Sequence, residues 1–347
     1  MSLKIINITR SVVSCDIFKI SCPKNWCNLP NKSAFLNSKS RAQNCVTFVR
    51  TYSNSKITNN MRFIQFQRNQ SNKSALGVIS ADGSKFVDIS DAYPTDMISF
   101  IKSNVPIADI EQRIESLKWE DISGVKLQAP VSNPEKIVCI GLNYLGHCLE
   151  QNKEPPSEPM FFSKFASTIT GPTGDVILHD ITTQLDWEVE LAVIIGKEAR
   201  HVSASSALDH VFGYSVAQDI SARDWQKSRN GGQFLIGKSM DTFCPLGPSI
   251  VHKSLVTDPH NLRLTCSVNG VPKQLGNTSE LIFRINEIIH RLSQSITLKP
   301  GDVILTGTPS GVGMHRKPAE FLKVGDVIES EIQSIGKIVN TIVKDTP

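Results

Sequence analysis

The stretch Asp186-Trp187-Glu188-Val189-Glu190-Leu191-Ala192-Val193-Ile194-Ile195 decides how this chain is read. Its second half, Leu191 to Ile195, is a short apolar run rich in β-branched residues, the signature of a buried strand. Side chains two apart in a strand share a face, so Glu188 and Glu190 project together at its head. Two carboxylates held side by side away from water repel, and one is driven to protonate unless a cation joins them. Asp219, which closes the run Tyr214-Ser215-Val216-Ala217-Gln218-Asp219, offers a third acid. Three carboxylates without His or Cys suit a hard ion such as Mg²⁺ or Mn²⁺. Taken alone, the same Glu-x-Glu spacing also fits an exposed acidic strand edge.

Outward from this strand, residues 136 onward alternate short apolar strands with Gly, Pro and Asp turns. The strands are Ile137–Ile140, Val189–Ile195, Tyr214–Ala217, Leu262–Val268, Val303–Leu305 and Val327–Ile332, and Gly301-Asp302 and Gly325-Asp326 each launch one. Helical patterns are few: Tyr144–Gln151, Ala204–His210 and Leu281–Leu292. The order is not that of repeated βαβ units. Upstream, Met61–Phe66 alternates like a strand, and Gly77–Ile79 and Lys85–Ile89 flank the turn Ala81-Asp82-Gly83 as a hairpin. Helices are expected near Met97–Lys102 and Ile107–Leu117. Ala129-Pro130 and Asn133-Pro134 then punctuate the chain. The expected plan is α+β and mostly β, with a small N-terminal α/β domain at 62–130 and a larger domain at 136–343.

Charge separates a further segment. Residues 1–52 hold eight basic side chains and one acid, a net +7, whereas the remainder holds 29 basic and 32 acidic, a net −3. Acid-poor, Ser- and Asn-rich and basic, this leader reads as a mitochondrial (matrix) transit peptide followed by a linker at 53–61. It lacks the uninterrupted apolar core of a secretory signal. No run approaches the roughly 18 apolar residues of a membrane span. With the leader set aside, no basic stripe remains for nucleic acid. Cys139, Cys148, Cys244 and Cys266 are scattered with no C-x-x-C pair, which disfavours a zinc site and fits free thiols in a reducing compartment.

Three further motifs carry chemistry. In Gly141-Leu142-Asn143-Tyr144-Leu145-Gly146-His147-Cys148-Leu149-Glu150, helical spacing lets His147 face Glu150. A carboxylate beside an imidazole orients it and suits it to acid–base work, although a plain surface pair has the same spacing. Lys238, in Gly237-Lys238-Ser239, is either a solvated charge or a cation placed to balance an oxyanion. The segment lacks the glycine pattern of a phosphate-binding loop. Leu305 to Gly313 (L-T-G-T-P-S-G-V-G) is dense enough in Gly and Pro to force an irregular loop, structural or ligand-facing.

In combination these motifs resemble the fumarylacetoacetate hydrolase superfamily. Gly141–His147, Trp187–Glu190, Gln218–Gln226 (Q-D-I-S-A-R-D-W-Q), Gly237–Ser239 and Thr306–Gly313 occur in that family's order. The resemblance implies a mixed β-roll catalytic domain and a homodimer. It implies Mg²⁺ or Mn²⁺ held by Glu188, Glu190 and Asp219, an acid/base dyad of His147 and Glu150, and Lys238 and Gln226 at the reacting group. It places Arg223, Thr308 and Lys164 toward the substrate. The chain departs from the namesake hydrolase in one respect: Gly-Leu-Asn-Tyr stands where that enzyme has a further metal-binding Asp. The implied substrate is a small 2-oxo (1,3-dicarbonyl) acid, processed through a metal-stabilised enolate. The resemblance favours keto–enol tautomerisation of oxaloacetate, with acylpyruvate hydrolysis or oxaloacetate decarboxylation as the alternative. A reading of another class is a catalytically idle binding protein.

Overall fold

The computed structural model describes residues 61–69 and 71–346. The basic leader and nearly all of the linker lie outside the described residues. Twelve strands form one mixed sheet. Its path runs Glu120–Asp121, Lys85–Asp88, Ser74–Ile79, Arg62–Arg68, Cys244–His252, Val211–Gln218, Val189–Ile195, Val303–Leu305, Ile137–Gly141, Met160–Lys164. Val125–Gln128 and Ile169–Thr170 pair off this path. A second, five-stranded sheet runs Val271–Asn277, Arg263–Val268, Val327–Ile332, Gly336–Lys344, Val176–Leu178. The fold is α+β and mostly β, as the strand pattern leads one to expect.

The strand Val189–Ile195 lies deep in the larger sheet, antiparallel to both Val211–Gln218 and Val303–Leu305. All seven of its residues are buried. Its alternate side chains enter two different cores, which is why the sequence there is continuously apolar and not alternating. Val189, Leu191, Val193 and Ile195 join Leu264, Ile328, Ile338 and Ile342 of the smaller sheet. Ala192 and Ile194 face the other way and join Phe63, Val78, Phe100 and Ile110 of the N-terminal segment. Glu190 shares that second face by the two-residue period. Residues 62–128 therefore contribute strands to the same sheet that carries the acids: Arg62–Arg68 pairs with Cys244–His252.

The expected N-terminal hairpin is present, with Gly77, Val78 and Ile79 opposite Asp88, Val87 and Phe86. Helices occupy Met97–Ser103 and Ile107–Glu115. Two helical expectations need correction. Ala204–His210 forms only a short 3₁₀ turn at Ala207–His210. Ser203, Ser205 and Ser206 bond one another through their hydroxyls, and Ser206 Oγ donates to the Ser203 carbonyl, an alternative to helical bonding that Ser readily takes. The second helix runs Ile285–Ser295, not from Leu281. Leu281 bridges to Tyr144, and the Phe283 N–H donates to Asn143 Oδ1 at 2.8 Å, so these residues stay extended. From Ile285 the helix buries Ile285, Ile288, Ile289 and Leu292 on one stripe.

Candidate active site and metal centre

Antiparallel pairing of Val189–Ile195 with Val211–Gln218 brings the acids together. Val189 sits opposite Gln218 and Glu190 opposite Ala217, so Asp219, one residue past the strand, falls beside the Glu188 backbone. The Asp219 N–H donates to the Glu188 carbonyl at 2.9 Å. Oxygens of Glu188, Glu190 and Asp219 all lie within 4.8 Å of one another, and all three residues are buried.

Cations converge on two of these three acids. Lys238 Nζ bridges Glu188 Oε2 (2.8 Å) and Asp219 Oδ2 (2.7 Å). Arg223 Nη1 meets Glu188 Oε1 at 2.7 Å. Lys164 Nζ meets Asp219 Oδ1 at 2.6 Å. Glu190 has no ion pair among the described residues; its one hydrogen bond comes from the Gly307 N–H at 2.6 Å. The pKa directions follow this asymmetry. Burial pushes the Glu188 carboxyl up, but Lys238 and Arg223 more than offset it and hold the group below the usual carboxylate range. Burial, Asp219 and Glu188 together drive the Glu190 carboxyl well above that range. Burial would lower Lys238, but Asp219 and Glu188 raise it, so it stays a cation.

These residues fit a divalent cation. With Asp186, four buried carboxylates face three buried cations, Lys164, Arg223 and Lys238. Glu190 is the carboxyl left without a cation, so it holds a proton unless a metal joins it, and an all-oxygen donor set favours a hard ion.

Above the acids lies a cavity of about 80 Å³. Glu188, Glu190, Arg223, Gln226, Lys238, His147 and Thr308 all line it. Arg223 and Gln226 come from the short helix Arg223–Lys227, and Lys238 ends the helix Phe234–Lys238. Gly237 lets these two helices touch: a Cβ there would lie 2.7 Å from the Gln226 backbone nitrogen. Gln226 Oε1 accepts from Arg223 Nη1 at 2.9 Å, so the group it can offer the cavity is its amide N–H₂. The Thr308 hydroxyl donates to the Val189 carbonyl and accepts from Gln274, which commits it to holding the loop on the strand. Lys164 is placed behind Asp219, away from the cavity lining, where its ammonium also donates to the Ile220 carbonyl.

His147 and Glu150 lie on the helix Leu145–Glu150, and His147 Nδ1 bonds Glu150 Oε1. The other Glu150 oxygen accepts from the Gly311 N–H at 2.8 Å, which ties this helix to the Gly-rich loop. A carboxylate on Nδ1 keeps the proton there and leaves Nε2 as the acceptor, 2.8 Å from Gln151 Nε2. Asn143, at the departure from the namesake hydrolase, is turned into the core. Its Nδ2 donates to the Phe283 and Thr306 carbonyls at 3.0 and 2.8 Å.

The sequence reading missed several cavity residues. His315 lies with its ring centroid 6.3 Å from that of His147. Lys153 and Lys227 also line the cavity. Asp186, at the head of the acid-bearing motif, anchors Arg223. No spacing rule flags these residues, because they reach the site from loops and helix ends far apart in the chain.

The segment 136–343 matches the family Fumarylacetoacetate (FAA) hydrolase C-terminal. The chain belongs to the fumarylacetoacetate hydrolase family. It is 47% identical over 289 residues to oxaloacetate tautomerase FAHD2A, mitochondrial, of Bos taurus, covering 82% of this chain and 92% of that one. Among solved structures it is similar to the fumarylacetoacetate hydrolase of Exiguobacterium antarcticum, with a TM-score of 0.73 and 35% identity over 82% of this chain and 100% of the other. It is also similar to maleylpyruvate hydrolase of Sphingobium in complex with manganese(II) ion and pyruvate, at TM-score 0.69 and 31% identity, with the same coverages. With its cavity lined by acid, base and cations, the chain is an enzyme of this family.

Proposed function

We propose that this enzyme is a divalent-metal-dependent oxaloacetate tautomerase of the mitochondrial matrix, acting as a homodimer. The observation that carries the substrate is the likeness, over 92% of its length, to a protein named oxaloacetate tautomerase. The address rests on that relative's mitochondrial name and on the basic, acid-poor leader. An exposed apolar patch supports the dimer: Phe161 on the edge strand Met160–Lys164 and Leu235 and Ile236 beside it are more than a third exposed.

The cavity suits a small acid: the cations Arg223 and Lys238 line it beside the carboxylates that would hold a metal.

Converting enol to keto moves one proton. The C2 hydroxyl gives one up, C3 gains one, and no carbon–carbon bond breaks. His147 Nε2, with Nδ1 held by Glu150, takes the hydroxyl proton and returns it to C3. The Lys238 ammonium and the Gln226 amide N–H bear the oxygen while it lacks its proton. Arg223 Nη2, buried and without a partner, receives the substrate's C1 carboxylate. Glu188, Glu190 and Asp219 would hold a divalent ion, Mg²⁺ or Mn²⁺, whose bound chemistry would be Lewis-acid polarisation of the substrate oxygens.

Kinship to the Sphingobium maleylpyruvate hydrolase favours a second reading, carbon–carbon bond hydrolysis. A product-resolved assay across oxaloacetate, acylpyruvates and fumarylacetoacetate separates the two. The tautomerase reading requires loss of the oxaloacetate enol without pyruvate, and faster acylpyruvate cleavage would replace it with the hydrolase.

A further inference from the structure

We infer that Asp186 is a positioning residue: it sets the plane of the Arg223 guanidinium, so that the Nη2 edge is kept for the substrate carboxylate. The inference rests on the role given to Arg223 above.

Asp186 is fully buried and accepts from four donors. Oδ1 takes the Trp187 N–H at 2.8 Å and the Gly313 N–H at 2.7 Å. Oδ2 takes Arg223 Nε at 2.8 Å and the Met314 N–H at 3.0 Å. One carboxylate thus joins the head of the acid-bearing strand, the turn after the Gly-rich loop, and the guanidinium. The turn is seated against it closely, since a Cβ on Gly313 would come within 2.7 Å of Asp186 Oδ1.

The guanidinium is a planar fork, so fixing two of its nitrogens fixes the third. Nε is held by Asp186, and Nη1 by Glu188 Oε1 at 2.7 Å and Gln226 Oε1 at 2.9 Å. Nη2 alone is buried without a partner, on a residue that lines the cavity. A buried donor pair left open costs free energy unless a ligand satisfies it. Without Asp186 the fork can pivot about the Nη1 contacts, and Nη2 loses its direction.

Charge and positioning make opposite predictions, which gives the test its force. Removing an anion near an anion site should tighten ligand binding if charge alone matters. Removing a positioning group should weaken it. An Asn at 186 keeps the shape but offers one acceptor oxygen where four donors now meet two.

The test is isothermal titration of oxalate into the full chain loaded with Mn²⁺, with Mn²⁺ affinity measured separately. Asp186→Asn should weaken oxalate by about tenfold or more, with Mn²⁺ affinity changed by less than about threefold. Arg223→Ala should weaken oxalate as well, and adding Asp186→Asn to it should cost less than about a further threefold, because the two act as one unit. If Arg223→Ala binds oxalate like the wild type, the role of Arg223 is wrong and the inference falls with it. If Arg223→Ala weakens binding but Asp186→Asn leaves it equal or tighter, the positioning role alone is overturned. Should Asp186→Asn not fold, Arg223→Lys keeps the charge but removes the fork and its Nε bond. It should lose oxalate affinity about as fully as Arg223→Ala, and wild-type affinity in this variant would overturn the positioning role.

Discussion

Glu190→Gln should act in opposite directions on the metal-free and the metal-loaded enzyme. Glu190 is the acid of the three with no ion pair among the described residues. Its oxygens lie within 4.8 Å of oxygens on Glu188 and Asp219. At an effective dielectric of about 20, each such pair of charges repels by about 3.5 kcal/mol, so without a metal Glu190 escapes about 7 kcal/mol of repulsion only by taking up a proton. Gln needs no proton to stay neutral and keeps an oxygen to accept the Gly307 N–H. In chelator, Glu190→Gln should therefore unfold at a temperature equal to or above the wild type, by about 1–3 kcal/mol or several degrees. With Mn²⁺ the order should reverse. Wild type gains about 4 kcal/mol when Mn²⁺ stands a thousandfold above its dissociation constant, whereas the variant, short of one ligand, gains little. Scanning calorimetry of both proteins, with chelator and with Mn²⁺, reads all four values. A Glu190→Gln protein that loses stability in chelator, or that keeps the wild-type response to Mn²⁺, would show that Glu190 is neither the strained acid nor a metal ligand.

Other outcomes follow from the same geometry. Burial, Lys153 and Arg223 push the Lys227 ammonium down to about 8. The cation is present below that pH and lost above it, so KM for an anionic substrate should climb as pH passes about 8 in the wild type and stay flat in Lys227→Gln between about pH 7 and 9. Gly311 has φ +104°, and a Cβ there would meet the Lys273 carbonyl at 2.2 Å. Gly311→Ala must shift the backbone that holds Glu150, so kcat should fall by about tenfold and stability by about 2–3 kcal/mol in denaturant titrations. Trp187→Phe deletes the 3.1 Å bond from Nε1 to the Gly311 carbonyl; it should cost about 1–2 kcal/mol of stability in the same titrations, with a smaller loss of kcat than Gly311→Ala.

The strand at 189–195 could be read from its apolar run, and the period of two placed Glu188 and Glu190 on one face. Pairing did the rest: register with Val211–Gln218 brought Asp219 alongside, which no local pattern encodes. The helices bearing Arg223, Gln226 and Lys238 went unread because each is only five residues long. A helix of that length shows too little of the 3.6-residue period to stand out. Asp186 escaped because its importance lies in partners at 223, 313 and 314, joined only by folding. Ala204–His210 carries apolar residues at helical spacing, but its flanking serines compete for the backbone and leave only a 3₁₀ turn.

On the tautomerase reading, this cavity moves a proton on a 2-oxo acid and leaves its carbon skeleton whole. The direct measurement follows the ultraviolet absorbance of freshly dissolved enol-oxaloacetate, with the enzyme and Mn²⁺ present, while pyruvate is quantified in the same sample. Enol absorbance should decay faster with enzyme than without, His147→Gln should abolish the acceleration, and pyruvate should not accumulate. An unchanged decay rate, or pyruvate appearing in step with the lost enol, would contradict it.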